Sequence, residues 1–246
     1  MQMYNNEGFN ENYYKSLIRT AKIKYRIGTY LNCTDNGNIV IFRHDIDLSP
    51  QRALNLAKIE HKEKITTTYF VDIHSRFYNA FEKTIANCIK DIKALGHNIG
   101  LHFDLSYYKK DQSVHNEALE KYLELEKNIL ENLLHISINV FSAHDPNANW
   151  LNYRQNTIAG MFNTYNKVIR SNFHYYSDSN YKWNIYQSTK SMRNILEEGN
   201  EEKIQILTHP GWWVNNLKSS SECITRCIKG RARNVRKEYE NDVSKM

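Results

Sequence analysis

The stretch Asn38-Ile-Val-Ile-Phe-Arg-His-Asp-Ile-Asp47 carries the reading of the fold. Its apolar run from Ile39 to Phe42 predicts a short buried strand that emerges into charge, so polar groups gather at the strand's C-terminal end. Asp35-Asn-Gly37 bounds the run on one side. On the other, Ser49-Pro50 supplies an N-cap and a first-turn proline for a helix with Ala53, Leu54, Ala57 and Ile59 on its buried face. Alternation along an extended chain points Asp45 and Asp47 to the same side. Two carboxylates that close either share a cation, one as ligand and one as base, or differ in role because Asp47 only caps the next helix. From these residues alone the two readings stand level.

The pattern repeats downstream. Ile65 to Val71 is rich in β-branched and aromatic residues, and a helix is predicted from about Phe81 to Leu95, closed by Gly96. A short strand over His97 to Phe103 and a long helix from about Ser113 to Leu134 follow, the helix striped by Leu119, Tyr122, Leu123, Leu130 and Leu133. Further strands are predicted at Ile136 to Ser142, Val168 to Ser171, Trp183 to Tyr186 and Ile204 to Thr208. Alternating strands and helices with short connections predict an α/β fold with parallel strands, in a sheet or barrel whose site lies at the strands' C-terminal ends. No repeat, low-complexity segment or linker divides the 246 residues, so a single domain is expected over 1–246, with a basic helix from about residue 217.

Histidine and aspartate recur at the predicted strand ends. The three prolines, Pro50, Pro146 and Pro210, each lie within a few residues of such a cluster: Arg43 to Pro50, Phe141-Ser-Ala-His-Asp-Pro146, and Leu207-Thr-His-Pro-Gly-Trp-Trp213. A fourth cluster, Gly96-His-Asn-Ile-Gly-Leu-His-Phe-Asp104, has no proline. Imidazole with carboxylate is a common zinc shell, which makes His102 and Asp104 candidates. His97, five positions before His102 and hence on the opposite face, suits a structural role. His209, held by Pro210 at a strand end, suits a general acid, because an unperturbed imidazole titrates near pH 6.5. Trp212 and Trp213 either stack on a sugar face or fill the core, with core favoured for one of the two.

Composition narrows the classes. Hydrophobic residues at 41% and charged residues at 24% exclude a disordered or fibrous chain. Four cysteines without CxxC spacing suit reduced thiols, and the first ten residues lack a basic, apolar leader, so a cytoplasmic protein without a transmembrane segment is expected. The net charge is +6, and residues 226–246 hold seven Lys and Arg against three Asp and Glu. That excess either lines the solvent face of a last helix or meets an anionic partner such as a phosphate-bearing substrate or a membrane surface; no nucleic-acid motif accompanies it.

Taken in order, the clusters resemble the motifs of the polysaccharide deacetylase family, also called carbohydrate esterase family four or the NodB homology domain, in a variant associated with surface-polysaccharide biosynthesis. The resemblance spans residues 41–213 and implies a deformed (β/α) barrel. It implies Asp45 as catalytic base, Asp47 and His102 as ligands of a divalent metal, most often zinc, and His209 as acid with Asp178 orienting it. The family's third motif tethers the base through an arginine; His144-Asp-Pro146 stands there instead. Its fourth motif is similar to Ser177-Asp-Ser-Asn-Tyr-Lys-Trp183. A second histidine is expected four residues after His102, and that position is Ser106. His144 is the first candidate to replace it and Asp104 the next. Arg43, Trp183, Trp212 and Trp213 are expected to contact substrate, Arg43 also setting the ionisation of the aspartate pair.

The implied activity is removal of an N-acyl group, acetyl above all, from an amino sugar that is nucleotide- or lipid-linked. The competing reading is a barrel that has lost its metal through Ser106 and only binds a glycan. A metal-free glycosidase fits poorly, because Asp45 and Asp47 share one strand end while that chemistry needs carboxyl groups flanking the scissile bond.

Overall fold

The computed structural model describes residues 8–33, 36–183, 191–216 and 219–244. The decisive stretch forms β2 (Ile39–Ile46), in which every residue is buried. Ser49 caps the following helix, α2 (Pro50–Lys62), by accepting from the Arg52 N–H, with Pro50 in the first turn. The cap belongs to Ser49, so the reading of Asp47 as a helix cap fails.

The chain opens with α1 (Glu11–Lys24) and β1 (Arg26–Gly28). After α2 come β3 (Thr68–Val71), α3 (Lys83–Ala94), β4 (Asn98–Phe103), the short α4 (Leu105–Tyr108), α5 (Asn116–Leu134) and β5 (Val140–Ala143). A hairpin of β6 (Thr157–Ile158) and β7 (Met161–Asn163) leads to α6 (Lys167–Asn172), β8 (His174–Ser177), α7 (Met192–Glu198), β9 (Lys203–Thr208) and α8 (Ser220–Val243). The strands form one sheet in the order β6-β7-β5-β4-β3-β2-β9-β8, with β1 beside the start of β2. All pairings are parallel except that of β6 with β7.

The sheet is curled. Ile39 and Ile41 of β2, Phe70 of β3 and Val140 of β5 share one apolar cluster with Ile169 and Phe173, which lie between β7 and β8. Residues near both outer ends of the sheet meet inside only if it bends round toward a barrel, and this is the deformed (β/α) barrel that the family resemblance implies. Gly100 belongs to that interior: a Cβ there would stand 2.6 Å from the Phe70 ring. Outside, α2, α3 and α5 cover β3, β4 and β5, while α1 and α7 cover β2 and β9. No helix among the described residues is long and apolar enough to cross a membrane.

Several local expectations change. Val168 to Ser171, read as strand, lies in α6, because the Asn166 side chain caps a helix there by accepting from Ile169 N–H; the strand is β8, which starts three residues after Ser171. Only the last part of Ile136 to Ser142 is extended in the sheet. Of the strand predicted over Trp183 to Tyr186, residues 184–186 lie outside the described residues. Helix α1 was absent from the expectation although Tyr14, Leu17, Ile18 and Ala21 bury one face at helical spacing.

Candidate functional site

Alternation along β2 sorts the central cluster. Ile39, Ile41, Arg43 and Asp45 face the barrel interior, and Asp47, one step beyond the strand, continues that row. Val40, Phe42 and His44 face the outer helices. Parallel register then lines up the strand ends. Ile46 stands beside Val71 and Val71 beside Leu101, so Asp47, Asp72 and His102 follow as neighbours, with Ser142 next to His102. His209 follows Thr208 of β9 on the other side.

Of these, Asp45, Asp47, His102 and His209, joined by His144, line one cavity of about 710 Å³ at the C-terminal ends of the strands. His102 Nε2 is 3.2 Å from Asp47 Oδ1, His144 Nδ1 is 3.1 Å from His102 Nε2 and 4.0 Å from Asp47 Oδ1. The ligand atoms of these three residues all lie within 4.8 Å of one another. Tetrahedral zinc with bonds of ~2.0–2.1 Å sets its ligand atoms ~3.3 Å apart, so the spacing suits a small divalent cation. Asp47 Oδ1 is buried and, among the described residues, accepts no hydrogen bond. His102 is oriented from behind, its Nδ1 2.7 Å from Ser142 Oγ, as a ligating histidine requires. The residues present therefore fit a metal.

Ser106 and Asp104 take no part. Asp104 caps α4, accepting from the Ser106 N–H and hydroxyl, and Ser106 is exposed. The third donor comes from just past the end of β5, where His144 Nδ1 lies 3.1 Å from His102 Nε2.

Asp45 is clamped by its own strand. Arg43 donates from Nε at 2.9 Å and from Nη2 at 2.7 Å to the two carboxylate oxygens. Its guanidinium lies between the Phe70 and Tyr165 rings, 5.3 and 5.2 Å from their centroids. Burial alone would raise the Asp45 pKa, but Arg43 and then His102 outweigh it and hold the carboxylate below its usual range. Asp47 is also depressed, because His102, His209 and His144 overcome the same burial penalty. At Asp72 burial outweighs His102 and the His74 N–H, and the pKa is raised.

On the opposite wall Asp178, fully buried, gathers three donors. His209 offers its backbone N–H at 3.0 Å and its ring Nδ1 at 2.6 Å, and Trp213 donates its indole N–H at 2.7 Å. Burial opposes the charged imidazole, yet the Asp178 carboxylate, aided by Asp47 and Asp45, raises the His209 pKa to about 9. Its free Nε2 points into the site, 3.6 Å from Asp47 Oδ2.

The expected substrate contacts divide. Trp212 lines the cavity. Arg43 and Trp213 are fully buried with no face for a ligand, and act beneath the site on Asp45 and Asp178. Trp183 packs on Phe9 and Trp213, away from the lining. Sequence reasoning missed Asp72, Ser142, Tyr165 and Tyr175. Asp72 was legible, as an acid directly after a predicted strand; the tyrosines were not, since they reach the cavity only through the curl of the sheet.

No family model matches the chain, and no curated protein matches it. Solved structures do. A CE4 esterase of Streptococcus mutans is 12% identical with a TM-score of 0.49, covering 85% of this chain and 86% of its own. A polysaccharide deacetylase of Bacillus cereus is 12% identical with a TM-score of 0.42, covering 80% and 88%. A CE4 family pseudoenzyme of Bacillus anthracis is 11% identical with a TM-score of 0.42, covering 81% and 62%. With identities this low, the chemistry has to be read from this chain's own residues.

Proposed function

We propose that this chain is a metal-dependent hydrolase that removes an N-acyl group, acetyl above all, from an amino sugar in a surface-polysaccharide precursor. One observation carries the reading: Asp45, clamped by Arg43 and 3.6 Å from His102 Nε2, and His209, held by Asp178 and 3.6 Å from Asp47 Oδ2, flank a three-residue donor cluster. A pure binding site has no use for a base and an acid set apart by their surroundings in this way.

Asp47, His102 and His144 would hold the metal, with zinc the best match to one carboxylate and two imidazoles. When bound, the ion would supply Lewis acidity toward the amide carbonyl and the water. Asp45, fixed by Arg43, accepts the proton of the water whose oxygen adds to the acyl carbon. As the C–N bond breaks, the electron pair leaves with the nitrogen, and His209 donates its Nε2 proton to that amine. Asp178 keeps His209 in the charged form that has a proton to give. Trp212 offers a ring at the cavity wall on which a sugar face would stack. A nucleotide- or lipid-linked sugar and a cytoplasmic place of action belong to this proposal.

The test is metal analysis of purified protein together with acetate release from N-acetylated sugar nucleotides, with and without added zinc. Stoichiometric metal that Asp47→Ala abolishes, and turnover that follows the metal, are expected. Wild-type protein that takes up no divalent metal under any loading condition would sink the mechanism. Ser106, standing where a motif histidine is expected, favours a second reading, a metal-free glycan-binding barrel. That reading predicts sugar binding without acetate release.

A further inference from the structure

Helix α8 (Ser220–Val243) is rooted on the site's end of the barrel and then leaves it. Cys223 is buried, Ile224 and Cys227 pack on the outer core, and Arg231 donates to Glu82 Oε1 at 2.7 Å, in the segment between β3 and α3. From Ala232 to Ser244 every residue is exposed. Asn234, Val235 and Glu238 still border a cavity shared with α2 and α3, and a helical end this short beyond them is marginal in water without something to cover it.

Its surface is organised. Ile228, Val235, Tyr239 and Val243 are all exposed, and at ~100° per residue they fall within an arc of about 80°. Lys229, Arg233, Arg236 and Lys237 occupy the next ~100° of arc, with Glu240 the acid among them. The whole segment 226–246 carries seven cationic residues against three acidic ones.

That charge selects the occupant. A second copy would bring one cationic segment against another, and a nucleic acid would answer the charges but leave the apolar stripe in water. An anionic lipid surface answers both, taking the stripe below its headgroups and the cations at its phosphates. We propose that the exposed face of α8 docks this protein on anionic membranes, with Ile228, Val235, Tyr239 and Val243 inserted and Lys229, Arg233, Arg236 and Lys237 at the headgroups. The docking does not depend on the chemistry of the cavity.

Co-sedimentation of the full chain with phosphatidylcholine vesicles, with and without phosphatidylglycerol, tests it. Pelleting is expected only with phosphatidylglycerol, weakened by salt. Val235→Glu/Tyr239→Glu and Arg233→Glu/Arg236→Glu should each reduce it by ~tenfold or more, with unchanged thermal melting because all four positions are exposed. Equal pelleting with both vesicle types, or none with anionic vesicles, overturns the proposal. So does binding that neither double variant weakens. A dimer that Val235→Glu/Tyr239→Glu dissolves, or retention by an RNA duplex, in a protein that ignores vesicles would give the helix to another partner.

Discussion

The two faces of strand β2 hold similar residues and put them to opposite uses. Inward, Arg43, Asp45 and Asp47 meet His102 and His209 around a cavity, and Asp47 Oδ1 and Arg43 Nη1 lack hydrogen-bond partners among the described residues. Outward, His44 meets Glu60 at 2.7 Å and Thr208 at 2.6 Å, and Glu60 also accepts from Tyr14, Tyr69 and Thr67. His97 closes that outer group, 3.0 Å from the Ala57 carbonyl and 3.1 Å from Thr67 Oγ1. Both faces combine histidine with carboxylate. Satisfaction and access differ: the outer network is sealed and complete, so it holds α2 to the sheet, while the inner one keeps capacity for a ligand.

Substitutions on the two faces should therefore separate function from stability. Asp47→Ala should cause the largest change, loss of bound metal and of acetate release by ~10³-fold or more, since a ligand is gone, while melting of the metal-free protein moves by no more than ~1 kcal/mol. Metal analysis beside calorimetry reads both.

Glu60→Ala should do the reverse. Removing one member of a buried, fully paired network costs about 3–5 kcal/mol, with metal content per folded molecule unchanged. Here pH gives a second handle. Burial would raise the Glu60 pKa, but His44 and then His97 depress it to about 2. A depressed carboxylate contributes stability in full above its ordinary range, ~4.3, and loses it as pH falls through the folded value. Denaturation curves should show stability lost between ~4.3 and about 2, and Glu60→Gln should flatten that limb.

Asp178→Asn should be intermediate, slowing turnover ~10–100-fold. His209 loses the partner that lifts its pKa to about 9, so its titration should fall toward ~6.5. A raised imidazole contributes stability below its unfolded value and loses it as pH rises through the folded one, so the wild type, and not the variant, should weaken between ~6.5 and about 9. An NMR titration of His209 that leaves its value in place would remove Asp178 from its role. Ser106→Ala should be the smallest change, within ~0.5 kcal/mol and silent in metal affinity, because its side chain is exposed and, among the described residues, bonded to Asp104 alone. A loss of metal there would overturn the three-donor cluster.

Much of this arrangement was legible locally. The side shared by Asp45 and Asp47 follows from period-two alternation, the Ser49-Pro50 helix start from capping chemistry, and the structural placement of His97 from its odd offset to His102. Where local signals competed, they misled. Val168 to Ser171 has β-branched residues, but the Asn166 cap and the packing of Ile169 into the barrel make it a helix.

What the sequence by itself determined is the row of strand-end histidines and aspartates and the face each points to, because backbone geometry fixes side-chain direction over a few residues. Only the tertiary structure decided that His144 rather than Asp104 stands third beside Asp47 and His102, that Arg43 clamps Asp45 from within β2, and that Trp213 serves Asp178 from the core. Each of those outcomes depends on strand register and on the curl of the sheet. Both are set by packing between segments far apart in the chain, which no local pattern encodes.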